Sequence, residues 1–135
     1  MIKARIPAAA PDTANLADYD ETRKNFSWKN VEAEFSWFGG EKMNIIAESL
    51  DKWAADPERA GHPALLFESF EGRQVYTFEQ MRRKSAQWAN LLARFGFVKG
   101  DRLLLFLPPC PETYFAMAAA ARMGVMFCPV FASSN

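Results

Sequence analysis

One histidine and two cysteines in 135 residues leave little from which to build a metal centre or a thiol–imidazole pair. Cys110 and Cys128 are too few for a disulfide framework and too far apart in the chain for a metal site. Both lie in apolar stretches, so they are expected to be buried free thiols in a reducing cytoplasm. His62, beside Pro63, is read as an ordinary loop residue, and nothing in the sequence supports a Ser-His-Asp triad built on it. An excess of one charge is also missing: Lys plus Arg and Asp plus Glu number 16 each, for a net charge of zero. That excludes the basic footprint of a nucleic-acid binder and the polybasic anchor of a membrane-surface protein. Glycine is sparse, at seven scattered residues, with neither G-x-G-x-x-G nor G-x-x-x-x-G-K-[ST], so neither glycine-rich phosphate loop is present. The run from Tyr114 to Ala121 is among the longest apolar stretches and falls far short of the roughly 20 residues of a membrane span. The first residues contain no apolar run of signal-peptide length, and Asp12, Asp18, Asp20 and Glu21 count against a transit peptide. A cytoplasmic location with no nucleic-acid partner and no membrane span is the expectation.

What the sequence does have is apolar surface. Half of it is hydrophobic, with 12 Phe and 4 Trp. That is enough for a core in about one domain and too apolar for a disordered tail. Residues 1–17, with Pro7 and Pro11, read as an irregular or mobile arm. Phe-Ser-Trp then occurs twice, at 26–28 and 35–37, a spacing too short for a repeat architecture. Ser27 is a candidate cap for a short helix with Val31 and Phe35 on one face. Packing of these aromatics onto a larger body is the expectation, with an aromatic ligand cage as the alternative. Gly39 and Gly40 close the segment.

From Asn44 the pattern is regular. Asn44 caps an expected helix over 44–55, with Ile46, Leu50, Trp53 and Ala54 at helical spacing and Pro57 beyond its end. Residues 64–69 and 74–77 read as a β-hairpin around Phe70-Glu-Gly-Arg73, with Gly72 supplying the turn. Thr77 and Gln80 match a capping box. Phe78, Met81, Ser85, Trp88, Ala89, Leu92 and Phe95 then form one stripe at steps of three and four, and Gly96 stands where a C-terminal glycine should. Lys99-Gly-Asp101 turns the chain into Arg102-Leu-Leu-Leu-Phe-Leu107, a run with no polar alternation, as in a parallel strand covered on both faces. Pro111 suits the first turn of the next helix, 112–123, which is alanine-rich and apolar nearly all round. After Gly124, residues 125–130 form a second apolar strand, with Pro129 near its end. Strand, helix, strand makes a right-handed βαβ unit. The expected fold class is therefore α/β: a β-hairpin and a right-handed βαβ unit that begins a parallel sheet, preceded by an aromatic-rich extension. Two parallel strands alone are not a stable sheet, so the subdomain is expected to be incomplete. The carboxylate pairs Glu32 with Glu34 and Glu68 with Glu71 read as solvated faces rather than acid and base.

The order of short segments is the most specific feature. Asn44-Ile-Ile-Ala-Glu-Ser-Leu-Asp51 is followed by Val75-Tyr-Thr-Phe78, Trp88-Ala-Asn-Leu-Leu92, Val98-Lys-Gly-Asp-Arg-Leu103, Leu107-Pro108, Pro111-Glu112, Ala121-Arg-Met-Gly-Val125 and Pro129-Val-Phe131. Over about residues 18–135 this resembles the opening of the AMP-forming acyl-CoA synthetases of the adenylate-forming superfamily. The two Phe-Ser-Trp segments resemble the N-terminal extension of the acetyl-CoA and medium-chain branches.

The resemblance implies that residues 1–40 are an N-terminal extension and 41–135 the first part of a large, truncated N-terminal domain. It implies a two-step ligase that joins a carboxylate to CoA through an acyl-adenylate, using ATP, Mg and CoA, on acetate or another short-to-medium-chain acid. In that family the phosphate loop, the adenine and acyl pockets and the catalytic lysine come later, so this chain alone is expected to be inactive, with no catalytic residue and no metal site of its own. Its expected partners are the small-molecule substrates of the longer protein and the rest of its own chain, or a second copy. The alternative is a non-catalytic interaction or regulatory module completed by a partner or by dimerisation. One local correspondence remains. Val130-Phe-Ala-Ser-Ser134 resembles the family's Phe-Gly-Gly segment near the CoA nucleotide, which makes Ala132, Ser133 and Ser134 candidate CoA contacts. Ala132 and Ser133 replace the glycines that would let backbone approach ligand closely.

Overall fold

Thr77 sets the start of the longest helix. Its hydroxyl accepts from the Gln80 N–H (3.2 Å) while Gln80 Oε1 accepts from the Thr77 N–H (2.9 Å), so two otherwise orphaned donors are satisfied reciprocally. The computed structural model that places this box describes residue 16, residues 18–35 and residues 42–131, and the chain divides into two units, Met1–Phe38 and Gly39–Asn135.

In the first unit, α1 (Tyr19–Asn25) is capped by Asp18, whose carboxylate accepts from the Glu21 N–H at 2.9 Å. Acidic residues in its first turn and basic ones in its last complement the helix dipole. The sequence pattern does not reveal this short helix, and nearly all of the arm expected over 1–17 lies outside the described residues. α2 (Trp28–Ala33) starts after Ser27 as expected, but the Ser27 side chain makes no cap hydrogen bond. Phe35 falls beyond the helix end, so it does not share a helical face with Val31. Neither helix has a buried residue, because six or seven residues offer too little face to bury. Phe26 and Trp28 meet edge to face at 5.2 Å, and both are exposed. The expected burial of the aromatics is therefore not seen at these two; Trp37, Gly39 and Gly40 lie outside the described residues.

In the second unit, Asn44 Oδ1 accepts from the Ile46 N–H (2.9 Å), as expected of a cap. The helix that follows is not uniform: Ala47–Asp51 is a π-helical turn, and α3 (Lys52–Ala55) completes it. β1 (Pro63–Ser69) and β2 (Gly72–Thr77) pair antiparallel. Ser69 faces Gly72, so the connection is only Phe70 and Glu71, tighter than the sequence suggests. Gly72 has φ +131°, which side chains rarely adopt. α4 (Phe78–Arg94) buries Met81, Ser85, Ala89 and Leu92. Phe95, the last residue of the expected stripe, lies past the helix end and is exposed. On the outer face Arg82 donates twice to Glu79, at 2.7 Å each. This hydrogen bonding holds the Glu79 carboxyl below its ordinary range and raises Arg82. A depressed carboxyl stabilises above its unfolded value and loses that contribution as pH falls through its folded one. The pair is exposed, so the effect is small.

β3 (Arg102–Leu107), α5 (Pro111–Met123) and β4 (Met126–Phe131) form the βαβ unit, with β3 and β4 parallel and in register from Arg102↔Met126 to Leu107↔Phe131. Pro111 opens α5, and Gly124 closes it at φ +71°. α5 buries Phe115, Ala116, Ala119 and Ala120. One core cluster joins Ile46, Leu50, Met81 and Phe115, with Tyr76 edge-on to Phe115 at 5.1 Å. A second joins Ala89, Leu92 and Ala119, with Leu103 and Phe97 against it. The hairpin and the parallel pair remain separate two-stranded sheets.

The sheet departs from expectation on one face. Leu105 is buried, but its neighbours Leu104 and Phe106 are 66% and 65% exposed. Met126, Cys128 and Val130 occupy the matching positions on β4, and all three are exposed. The strand is apolar on both sides, yet only one side is covered. For the same reason Cys128, expected to be buried, is exposed, while Cys110 is half-buried; both are free.

Two outcomes follow. Thr77→Ala removes the capping acceptor and costs about 1 kcal/mol, read as a fall in Tm of several degrees; an unchanged Tm would contradict the capping box. Leu105→Ala costs about 2–5 kcal/mol. Phe106→Lys, one residue along, changes folding stability by no more than about 0.5 kcal/mol while reducing self-association in sedimentation velocity. Equal stability losses for the two variants would mean the second face is covered.

Candidate functional site

Parallel strands bring their carboxyl ends together, and in open α/β sheets ligands bind beyond those ends. At that end of β3 and β4 lies a cavity of about 300 Å³, lined by residues that include Leu105, Leu107, Pro109, Tyr114, Met117 and Val130. Three features of the sequence shape it. The Pro108-Pro109 pair stops β3, Pro111 turns the chain into α5, and Pro129 lies in β4 opposite Leu105. Its polar groups are few. The Thr113 hydroxyl donates to the Pro108 carbonyl at 3.2 Å and lies 3.4 Å from Cys110 Sγ. No charged side chain is among its lining residues. Such a cavity suits an apolar group and offers nothing to a transferring phosphoryl, which needs positioned cations and N–H donors.

A second hollow, of about 550 Å³, lies in the first unit against α1 and α2. Asp18, Glu21 and Glu34 line it without a basic residue, so it would repel a phosphate. Among the described residues no group of three or more His, Cys, Asp or Glu could hold a metal ion.

The main cross-chain polar cluster lies elsewhere. Arg122, near the end of α5, donates to both carboxylate oxygens of Asp51 at 2.6 and 2.7 Å, and to Ser85 Oγ on α4 at 3.0 Å. The Arg122 carbonyl accepts from Asn44 Nδ2 at 2.9 Å. Ser85, fully buried, donates in turn to the Arg82 carbonyl. Sequence reasoning placed Ser85 in an apolar stripe and passed over Arg122 and Asp51. The available signal was an arginine in the last turn of a helix that is apolar from Tyr114 to Ala121.

The sequence-based candidates Ala132, Ser133 and Ser134 lie outside the described residues, directly after β4. His62 is exposed, and its backbone carbonyl accepts from the Phe78 N–H at 3.1 Å, an ordinary loop-to-helix tie. Glu68 and Glu71 are solvent-facing, as expected. No helix among the described residues is long and apolar enough to cross a membrane.

The family described as AMP-binding enzyme matches residues 50–135, more than half of the chain. An acetyl-coenzyme A synthetase of Bacillus subtilis is 37% identical over 127 residues, covering 93% of this chain and 22% of that protein. One from Campylobacter jejuni is 37% identical over 98 residues, covering 72% and 15%. A crystal structure of Brucella canis acyl-CoA synthetase superposes with a TM-score of 0.73 at 26% identity, over 87% of this chain and 21% of that one. The chain thus spans about a fifth of the length of the relatives it matches. On the family match, and on a mixed α/β fold shared with an acyl-CoA synthetase, this chain belongs to the AMP-binding enzyme family.

Proposed function

We propose that this chain is the N-terminal portion of an AMP-forming carboxylate–CoA ligase of the acetyl-CoA synthetase type. The longer protein would convert ATP, a carboxylate and CoA into acyl-CoA, AMP and pyrophosphate through an acyl-adenylate. Acetate or another short-to-medium-chain acid is the proposed substrate. Residues 1–40 are the proposed N-terminal extension and 41–135 the first part of the large domain. The observation that carries the reading is the match to acetyl-coenzyme A synthetases over 93% of this chain but 22% of the relative.

The uncovered face of β3 and β4 supports it. Apolar side chains such as Leu104, Phe106 and Met126 are ordinarily placed against other elements, and the rest of a larger domain would supply them. In this reading ATP, Mg and most CoA contacts belong to the longer protein, and the apolar lining of the cavity beside β3 and β4 supports it. Ala132, Ser133 and Ser134 keep their proposed contact to CoA on resemblance alone, weakened by the loss of both glycines. A cytoplasmic location is part of the proposal and rests on the two free thiols.

A second reading, a non-catalytic module completed by a partner chain or by a second copy, draws on the same uncovered face and on the exposed Tyr19 and Trp28. Assay separates the two. Purified 135-residue chain with ATP, acetate, CoA and Mg releases no carboxylate-dependent pyrophosphate above blank, and the protein isolated from its source has an intact mass several times 15.3 kDa. Carboxylate-dependent pyrophosphate release from the 135-residue chain overturns the predicted inactivity. A native mass of 15.3 kDa with a stable homodimer favours the second reading.

A further inference from the structure

The helix entered at Asn44 contains a turn that local sequence does not ask for. The Lys52 N–H donates to the Ala47 carbonyl, five residues back rather than four. Such wide turns are rare and occur mostly as single insertions in α-helices. The segment Ala-Glu-Ser-Leu-Asp holds neither proline nor glycine, and alanine, glutamate and leucine are good α-helix formers. Tertiary contacts must therefore select the wide turn, and two are in place.

The first is the core. Ile46, Leu50 and Ala54 are buried and recur every fourth residue. At about 100° per residue, eight residues of straight α-helix overshoot two full turns by about 80°, a drift that a wider turn reduces. An apolar stripe is itself about 100° wide, so the core tolerates much of that drift. The second contact tolerates far less. Asp51 is the last residue of the wide turn, and both its oxygens accept from the two terminal nitrogens of Arg122, 71 residues later. A two-point bond to a planar guanidinium requires the carboxylate in one plane at one distance. Arg122 is itself held, by Ser85 at its side chain and by Asn44 at its carbonyl. A fixed guanidinium thus meets a carboxylate at the end of the wide turn.

We propose that the Asp51–Arg122 pair is a latch that holds Ala47–Asp51 in the wide register. Without it the segment relaxes to α-helix and the residues on one side of it rotate relative to those on the other. The latch ties the helix before the hairpin to the helix inside the βαβ unit, so the register of the first reports the position of the second.

Amide hydrogen exchange of the dilute 135-residue chain, read by mass spectrometry over 44–56, 78–94 and 111–123, tests this. Asp51→Ala and Arg122→Gln each raise exchange over 47–52 by about tenfold, leave 78–94 within about twofold, and do not add when combined. Deleting Ser49, which is exposed, restores α-helical spacing. With one residue fewer, an α-helix carries Asp51 to about the direction the wide turn gives it, so the deletion keeps the pair and raises Tm in the wild-type background, and raises it less beside Asp51→Ala, where the wide turn has already relaxed. Unchanged exchange over 47–52 in Asp51→Ala, or an equal change of Tm from the deletion in both backgrounds, overturns the latch. Should Asp51→Ala lose protection everywhere, the deletion beside it decides: recovered protection supports the latch, and continued loss overturns it.

Discussion

Ala116, Ala119 and Ala120, all nearly or fully buried, let α5 sit close to its neighbours, and the arrangement of residues 42–131 depends on that approach. Ala119 meets Ala89 and Leu92 of α4, and Leu103 of β3 packs against the same cluster. Where α5 carries a large residue, Phe115, the space is shared with Ile46, Leu50 and Met81, so the helix before the hairpin enters the same core. Small residues decide how near two helices come, and Phe115 decides where the gap beside them is filled. A helix that is apolar nearly all round can do both at once.

The polar cluster around Arg122 acts within the same frame. Its guanidinium joins Asp51 and Ser85 from two other elements, at part-buried positions where a cation paired with a carboxylate is tolerated and an unpaired one is costly. The cluster therefore specifies orientation where the alanines specify distance. Arg122 Nε remains buried without a hydrogen-bond partner, so the bidentate grip on Asp51 is made at the cost of one donor.

The carboxyl ends of the two parallel strands, where ligands bind in open α/β sheets, carry few polar groups among the described residues. The carboxyl ends of β3 and β4 open on an apolar cavity without a charged lining residue, and the same two strands leave one face bare. Both observations have one physical source. A parallel strand is apolar on both sides because both are meant to be packed, so an uncovered side marks a sheet that other elements would complete.

Much of the architecture was legible in the residues alone. The capping box at Thr77 and Gln80, the stripe of α4 as far as Leu92, Pro111 and Gly124 at the two ends of α5, and the span of β3 all follow from short-range rules: a side chain satisfying a nearby N–H, a period of about 3.6, a residue that fits one backbone conformation. The family resemblance was legible for a related reason, since it lies in an ordered series of local segments. The wide turn at Ala47–Asp51, the two-residue hairpin loop, the exposure of Cys128 and the Arg122 cluster were not. Each depends on residues distant in sequence or on which face of an element finds a partner. The sequence alone determined which elements the second unit contains and in what order; the tertiary structure decided which of their faces are covered and in which register one helix turns, because burial and paired charge are properties of contacts rather than of residues.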